Sequence, residues 1–107
     1  MTDINKIADE AKKVFDKIDK KFNTEMDEVA TFLHITEEVG ETAKHILSKY
    51  LEEQKGSTAG RFNRKELKEE LTDVILYSLL LAKKLNIDIS KELETKIKKN
   101  KARFKIN

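Results

Sequence analysis

The sequence predicts an all-α fold, a bundle of four helices carried by a single domain over residues 1–107. Three observations predict it. Proline is absent and glycine occurs only three times, so long helices are little interrupted. Apolar residues recur at three- and four-residue steps, the spacing that lines one side of a helix. Residues able to cap a helix stand at the breaks between these runs.

The first helix is expected over 3–22, where Ile4, Ile7, Ala11, Val14, Phe15, Ile18 and Phe22 form one stripe for burial. Asn23 and Thr24 then offer a break and an N-cap. A long second helix, over 25–53, carries Val29, Phe32, Ile35, Val39, Ala43, Ile46 and Tyr50 on its expected buried side. Gly40 lies within it and costs about 1 kcal/mol relative to alanine, so it marks either a close crossing of another backbone or a tolerated glycine. Residues 55–64, with Gly56, Ser57 and Gly60, read as a loop, and lack the Gly-Lys-Ser/Thr and preceding strand of a phosphate-binding P-loop. Asn63 with Glu66 is a capping-box pattern that opens the third helix, expected to reach residue 85. Its stretch 71–82 is apolar nearly all round and is expected to be the most buried element. Residues 86–89 turn the chain, and Ser90 is expected to cap a fourth helix running to residue 104, with Leu93 and Ile97 inward.

Composition narrows the function classes. With 38% hydrophobic and 39% charged residues the apolar stripes are narrow, and a chain this short buries only about two thirds of its unfolded surface, so a homodimer or homotetramer is expected to complete the core. Cysteine is absent, which excludes disulfides and thiolate zinc sites and suits a reducing, cytoplasmic setting. No apolar run reaches the ~18 residues of a membrane span, and residues 1–10 lack a signal peptide's hydrophobic segment, so no membrane partner is expected. The net charge of +2 hides an asymmetry: residues 95–107 carry six basic residues and no acid, leaving −4 for the rest. An acidic body with a basic tail suits a metal ion beside an anion, and the low overall charge disfavours nucleic acid.

The acids fall into a pattern. Glu37, Glu38 and Glu41 give E-E-x-x-E on the second helix, and Glu70 and Asp73 give E-x-x-D on the third. Residues three apart share a helix face, so each helix offers a converging pair. For Glu38 and Glu41 an ordinary solvated face remains open, because their stripe is otherwise polar. Asp73 is more telling, since it shares a stripe with Val74, Tyr77, Leu80 and Leu81. A carboxylate among core residues must be neutralised, paired or bound to a cation. Like charges roughly 6 Å apart repel by about 3 kcal/mol per pair at an effective dielectric of 20, and a divalent metal offsets that. An all-oxygen set favours Mg2+ or Mn2+ over zinc or copper. The Glu-x-x-His spacing of di-iron helical proteins is missing, so His34 and His45, one turn to either side on the same stripe, are read as exposed or supporting groups rather than ligands.

At these residues the sequence resembles the MazG-like family of all-α nucleoside triphosphate pyrophosphohydrolases. Segments 33–41 (LHITEEVGE), 68–76 (KEELTDVIL) and 96–104 (KIKKNKARF) all resemble family segments, in the same order. The resemblance implies hydrolysis of nucleoside or deoxynucleoside triphosphates at the α-phosphate. It implies that Glu38, Glu41, Glu70 and Asp73 hold Mg2+, and that Glu37 or Glu38 serves catalysis, Glu37 as an acid orienting or deprotonating the attacking water. It also implies that Lys96, Asn100 and Arg103, one face of the fourth helix, contact phosphates; a solvated basic helix end is the alternative. The chain lacks the tryptophan that family members often place near the base, which leaves Phe22, Phe62 and Tyr77 as weak stacking partners. Two other readings share these features: a phosphoribosyl-ATP pyrophosphohydrolase, and a non-catalytic helical module that binds metal or nucleic acid.

Overall fold

The computed structural model describes residues 3–55 and 62–107, and the structure there is helical, in the order α1 (Ile4–Phe22), α2 (Glu28–Lys55), α3 (Arg64–Lys84) and α4 (Ile89–Arg103), with no strand among the described residues. The four expected helices are therefore present. Most of the loop expected over 55–64 lies outside the described residues.

The chain forms two compact units, one built from the chain up to Glu28 together with Leu79 onward, the other Val29–Ser78. In the first, Asp3 caps α1 by accepting from the Asn5 backbone N–H at 2.8 Å. Asn5 then ties α1 to the start of α4. Its amide donates to Asp88 at 2.8 Å, and its oxygen accepts from the Ser90 N–H at 3.2 Å. The cap of α4 is Asp88, which accepts from the Lys91 N–H at 3.2 Å, and not Ser90 as expected; a carboxylate is the stronger acceptor for an orphan helix N–H. Ala8, Ala11, Leu79, Leu80 and Ala82 are the buried apolar residues of this unit; of the expected α1 stripe only Ala11 is buried, Phe15 is half-buried, and Val14, Ile18 and Phe22 stay exposed.

The break after α1 is made by Asn23 in the left-handed region (φ 52°), a conformation asparagine tolerates at a helix end. Thr24 does not cap α2. Its hydroxyl donates back to Asp19 at 2.8 Å, Asp19 also accepts from the Met26 N–H at 2.9 Å, and α2 starts only at Glu28. The Met26 and Thr24 bonds hold the Asp19 carboxyl below its ordinary range.

In the second unit α2 and α3 face each other, and the expected inner side of α2 is corrected. Val29, Phe32, Val39, Ile46 and Tyr50 are exposed, Ile46 by 51%, whereas Thr31, His34, Ile35, Glu38, Glu41, Thr42 and His45 are buried or half-buried. The polar stripe of α2 meets α3. The expectation for α3 is corrected in part as well: Leu79, Leu80 and Ala82 at its C-terminal end are buried, but Leu71 and Ile75 are about half exposed. A Cβ added at Gly40 would meet nothing within 4 Å, so among the described residues no backbone crosses there and the glycine is a tolerated one. The capping box is half made: Asn63 accepts from the Glu66 N–H at 3.1 Å, while the Glu66 carboxylate turns toward His45.

Candidate metal centre

Three carboxylates converge between α2 and α3. One oxygen each of Glu38, Glu70 and Asp73 lie within 4.8 Å of one another, and all three side chains are half-buried. Helix geometry explains the set. Glu70 and Asp73 sit three apart on one face of α3, and Glu38 reaches them from the polar seam of α2.

The electrostatics are those of a site short of positive charge. Oε2 of Glu38 is buried and has no hydrogen-bond partner among the described residues. The Glu38 carboxyl is pushed up to about 7, first by its hydrogen bond with Glu70, then by burial and by the charges of Glu70, Asp73 and Glu37. Tyr77, one turn beyond Asp73, has its phenol raised by burial and by the charges of Asp73, Glu38 and Glu37. The donor set is three hard carboxylates with one orphaned buried oxygen, which fits a divalent cation such as Mg2+ or Mn2+.

Of the other expected residues, Glu37, Glu41, His34 and His45 share α2 with Glu38. Glu41 is outside the converging set, and its carboxylate pairs with Lys44 at 3.4 Å. Glu37 is exposed next to Glu38, and its charge is felt at both Glu38 and Tyr77. His34 lies one turn before Glu38 and stacks on Tyr77, ring centroids 5.2 Å apart and planes inclined by 11°. His45 lies one turn past Glu41, with Nε2 at 3.9 Å from a Glu66 oxygen. Both histidines are thus neighbours of the acid seam. Of the aromatic stacking partners considered, Phe22 is exposed, Phe62 half-buried, and Tyr77 stands beside the acids. Lys96, Asn100 and Arg103 form an exposed face of α4, in the other compact unit; the Arg103 guanidinium lies 5.2 Å from the Phe104 ring. The Lys44 contact was missed in the sequence although its signal is plain: a lysine three residues after a helical glutamate.

A family model described as MazG-like matches residues 33–107. The chain belongs to the MazG-like family. No curated protein and no solved structure matches it. The matched stretch of this MazG-like chain contains Glu38, Glu70, Asp73 and the whole of α4, while α1 precedes it. Among the described residues no helix is long and apolar enough to cross a membrane.

Proposed function

We propose that this MazG-like chain hydrolyses nucleoside or deoxynucleoside triphosphates to monophosphate and pyrophosphate in the cytoplasm, using a divalent cation held by Glu38, Glu70 and Asp73. The convergence of these three carboxylates within 4.8 Å, in a chain of this family, carries the reading. Glu41 joins them as a fourth ligand; its ion pair with Lys44 is solvent-exposed and gives way at little cost. The chemistry that magnesium supplies when bound is neutralisation of the triphosphate oxygens and of charge developing at phosphorus.

The chain's own groups do the rest. Glu37 orients the attacking water and takes its proton as the new bond to the α-phosphorus forms. The bond between the α-phosphorus and the bridging oxygen breaks, and pyrophosphate leaves with the electron pair. Lys96, Asn100 and Arg103 offer the cationic and polar face that suits the departing phosphates.

A second copy of the chain completes the fold in this proposal. Val39, Ala43, Ile46, Leu47, Tyr50 and Leu71 line an apolar groove on the outer side of α2 and α3, the kind of surface that soluble helical proteins cover by self-association. The hydrolysis is tested by incubating the chain with a panel of NTPs and dNTPs and Mg2+, with detection of pyrophosphate. Cleavage that disappears in Asp73→Asn is expected; a panel left intact, or full activity in that variant, would overturn the proposal.

A further inference from the structure

We propose that His34 is a positioning residue for the metal centre: stacked on Tyr77, its ring fixes how α2 lies against α3 beside the acids. The inference rests on the metal-binding reading above and deepens it. Glu70 and Asp73 are held in mutual register by one rigid helix, but Glu38 comes from another, so its distance to them depends on how the two helices are rotated and slid. The stack stands at the point where that freedom matters. His34 is four residues before Glu38 and Tyr77 four after Asp73, so each ring sits about 6 Å along its helix from a ligand.

The contact has the geometry of a spacer. Its centroids are 5.2 Å apart and its planes are inclined by 11°, within the range of favourable aromatic pairing, and both rings are half-buried. On the far side of the acids the approach is looser, since His45 stands 3.9 Å from Glu66, beyond hydrogen-bond reach. Outer-shell groups that hydrogen-bond a metal ligand commonly set its affinity by roughly 10- to 100-fold, and a contact that acts only through helix placement is expected at the low end of that range. The planar ring, and not the charge or the imidazole nitrogens, is the working part, so a phenyl ring substitutes for it.

The test is calorimetric titration of MgCl2 into the full chain, for wild type, His34→Ala and His34→Phe, with thermal unfolding of each recorded alongside. His34→Ala is expected to bind Mg2+ about tenfold more weakly while still folded, and His34→Phe to recover binding to within about threefold of wild type. A residue serving stability alone would lower the unfolding temperature of His34→Ala and leave the affinity of the folded chain unchanged, and that result would overturn the proposal. So would a His34→Phe that binds as weakly as the alanine variant. Should His34→Ala fail to fold, His34→Leu keeps the volume without the flat ring and carries the same expectation and the same refutation. A wild type that binds Mg2+ yet cleaves no triphosphate removes the proposed hydrolysis and leaves the His34 outcome to be read from the affinities.

Discussion

Glu38 on α2 and Glu70 on α3 share a hydrogen bond across two helices, and that bond is the largest reason the Glu38 carboxyl holds its proton up to about pH 7. Two acids brought together by packing have only a few ways to coexist: one stays neutral, or a cation joins them. Most of what can be tested about the site follows from this pair.

In the proposed site Mg2+ displaces the Glu38 proton on binding, so its affinity is expected to depend on pH. With a value of about 7, the Mg2+ affinity measured by calorimetry is expected to fall about tenfold from pH 8 to pH 6. Glu38→Gln removes the titrating group and is expected to bind weakly with a flat profile over that range. A wild-type affinity independent of pH would contradict it.

Stability without metal runs the other way. The Glu38 value in the folded chain lies above its ordinary 4.5, so its proton favours the folded state fully below about 4.5, and that contribution is lost as pH rises through 7. The metal-free chain is expected to lose stability at this site between those limits, with the loss suppressed in Glu38→Gln and reversed by Mg2+. Urea midpoints at pH 5 and pH 8, with and without Mg2+, provide the measurement.

Leu80 is fully buried at the C-terminal end of α3 and Asn63 caps its N-terminal end. Leu80→Ala is expected to cost about 2–5 kcal/mol through the cavity it leaves, and Asn63→Ala about 1 kcal/mol through one unsatisfied N–H. Chemical denaturation of both variants should keep that order. Equal losses would mean that Leu80 is less tightly packed than its burial indicates.

The open face of α2 gives a prediction about assembly. Leu47 is 56% exposed in the apolar groove; the wild type is expected to sediment as the proposed oligomer in analytical ultracentrifugation and Leu47→Glu as a monomer. A monomeric wild type would remove the proposed second copy.

The helices were legible because their punctuation is strong: no proline, few glycines, and the asparagines at 23 and 63 placed where helices stop and start. The caps were less so. Asp88 caps α4 in place of Ser90, and Thr24 turns back to Asp19 instead of capping α2, because carboxylates reach backbone N–H groups three to seven residues away, which short-range pattern reading does not weigh. The acid trio was legible as two spaced pairs, and Asp73 among apolar residues was its best single clue. Which side of α2 turns inward was not, because apolar periodicity points to the side that must leave water without saying whether this chain or another covers it. The polar stripe with His34 and Glu38 took the inner place, and the His34 stack on Tyr77 is a consequence no spacing on one helix discloses.

The most direct measurement is hydrolysis of a deoxynucleoside triphosphate in 18O-labelled water with Mg2+, followed by mass analysis of both products. One 18O is expected in the nucleoside monophosphate and none in the pyrophosphate, with turnover abolished in Glu38→Gln and Asp73→Asn. Label in pyrophosphate or orthophosphate, or a triphosphate that stays whole, would contradict a carboxylate-held cation directing water to the α-phosphorus.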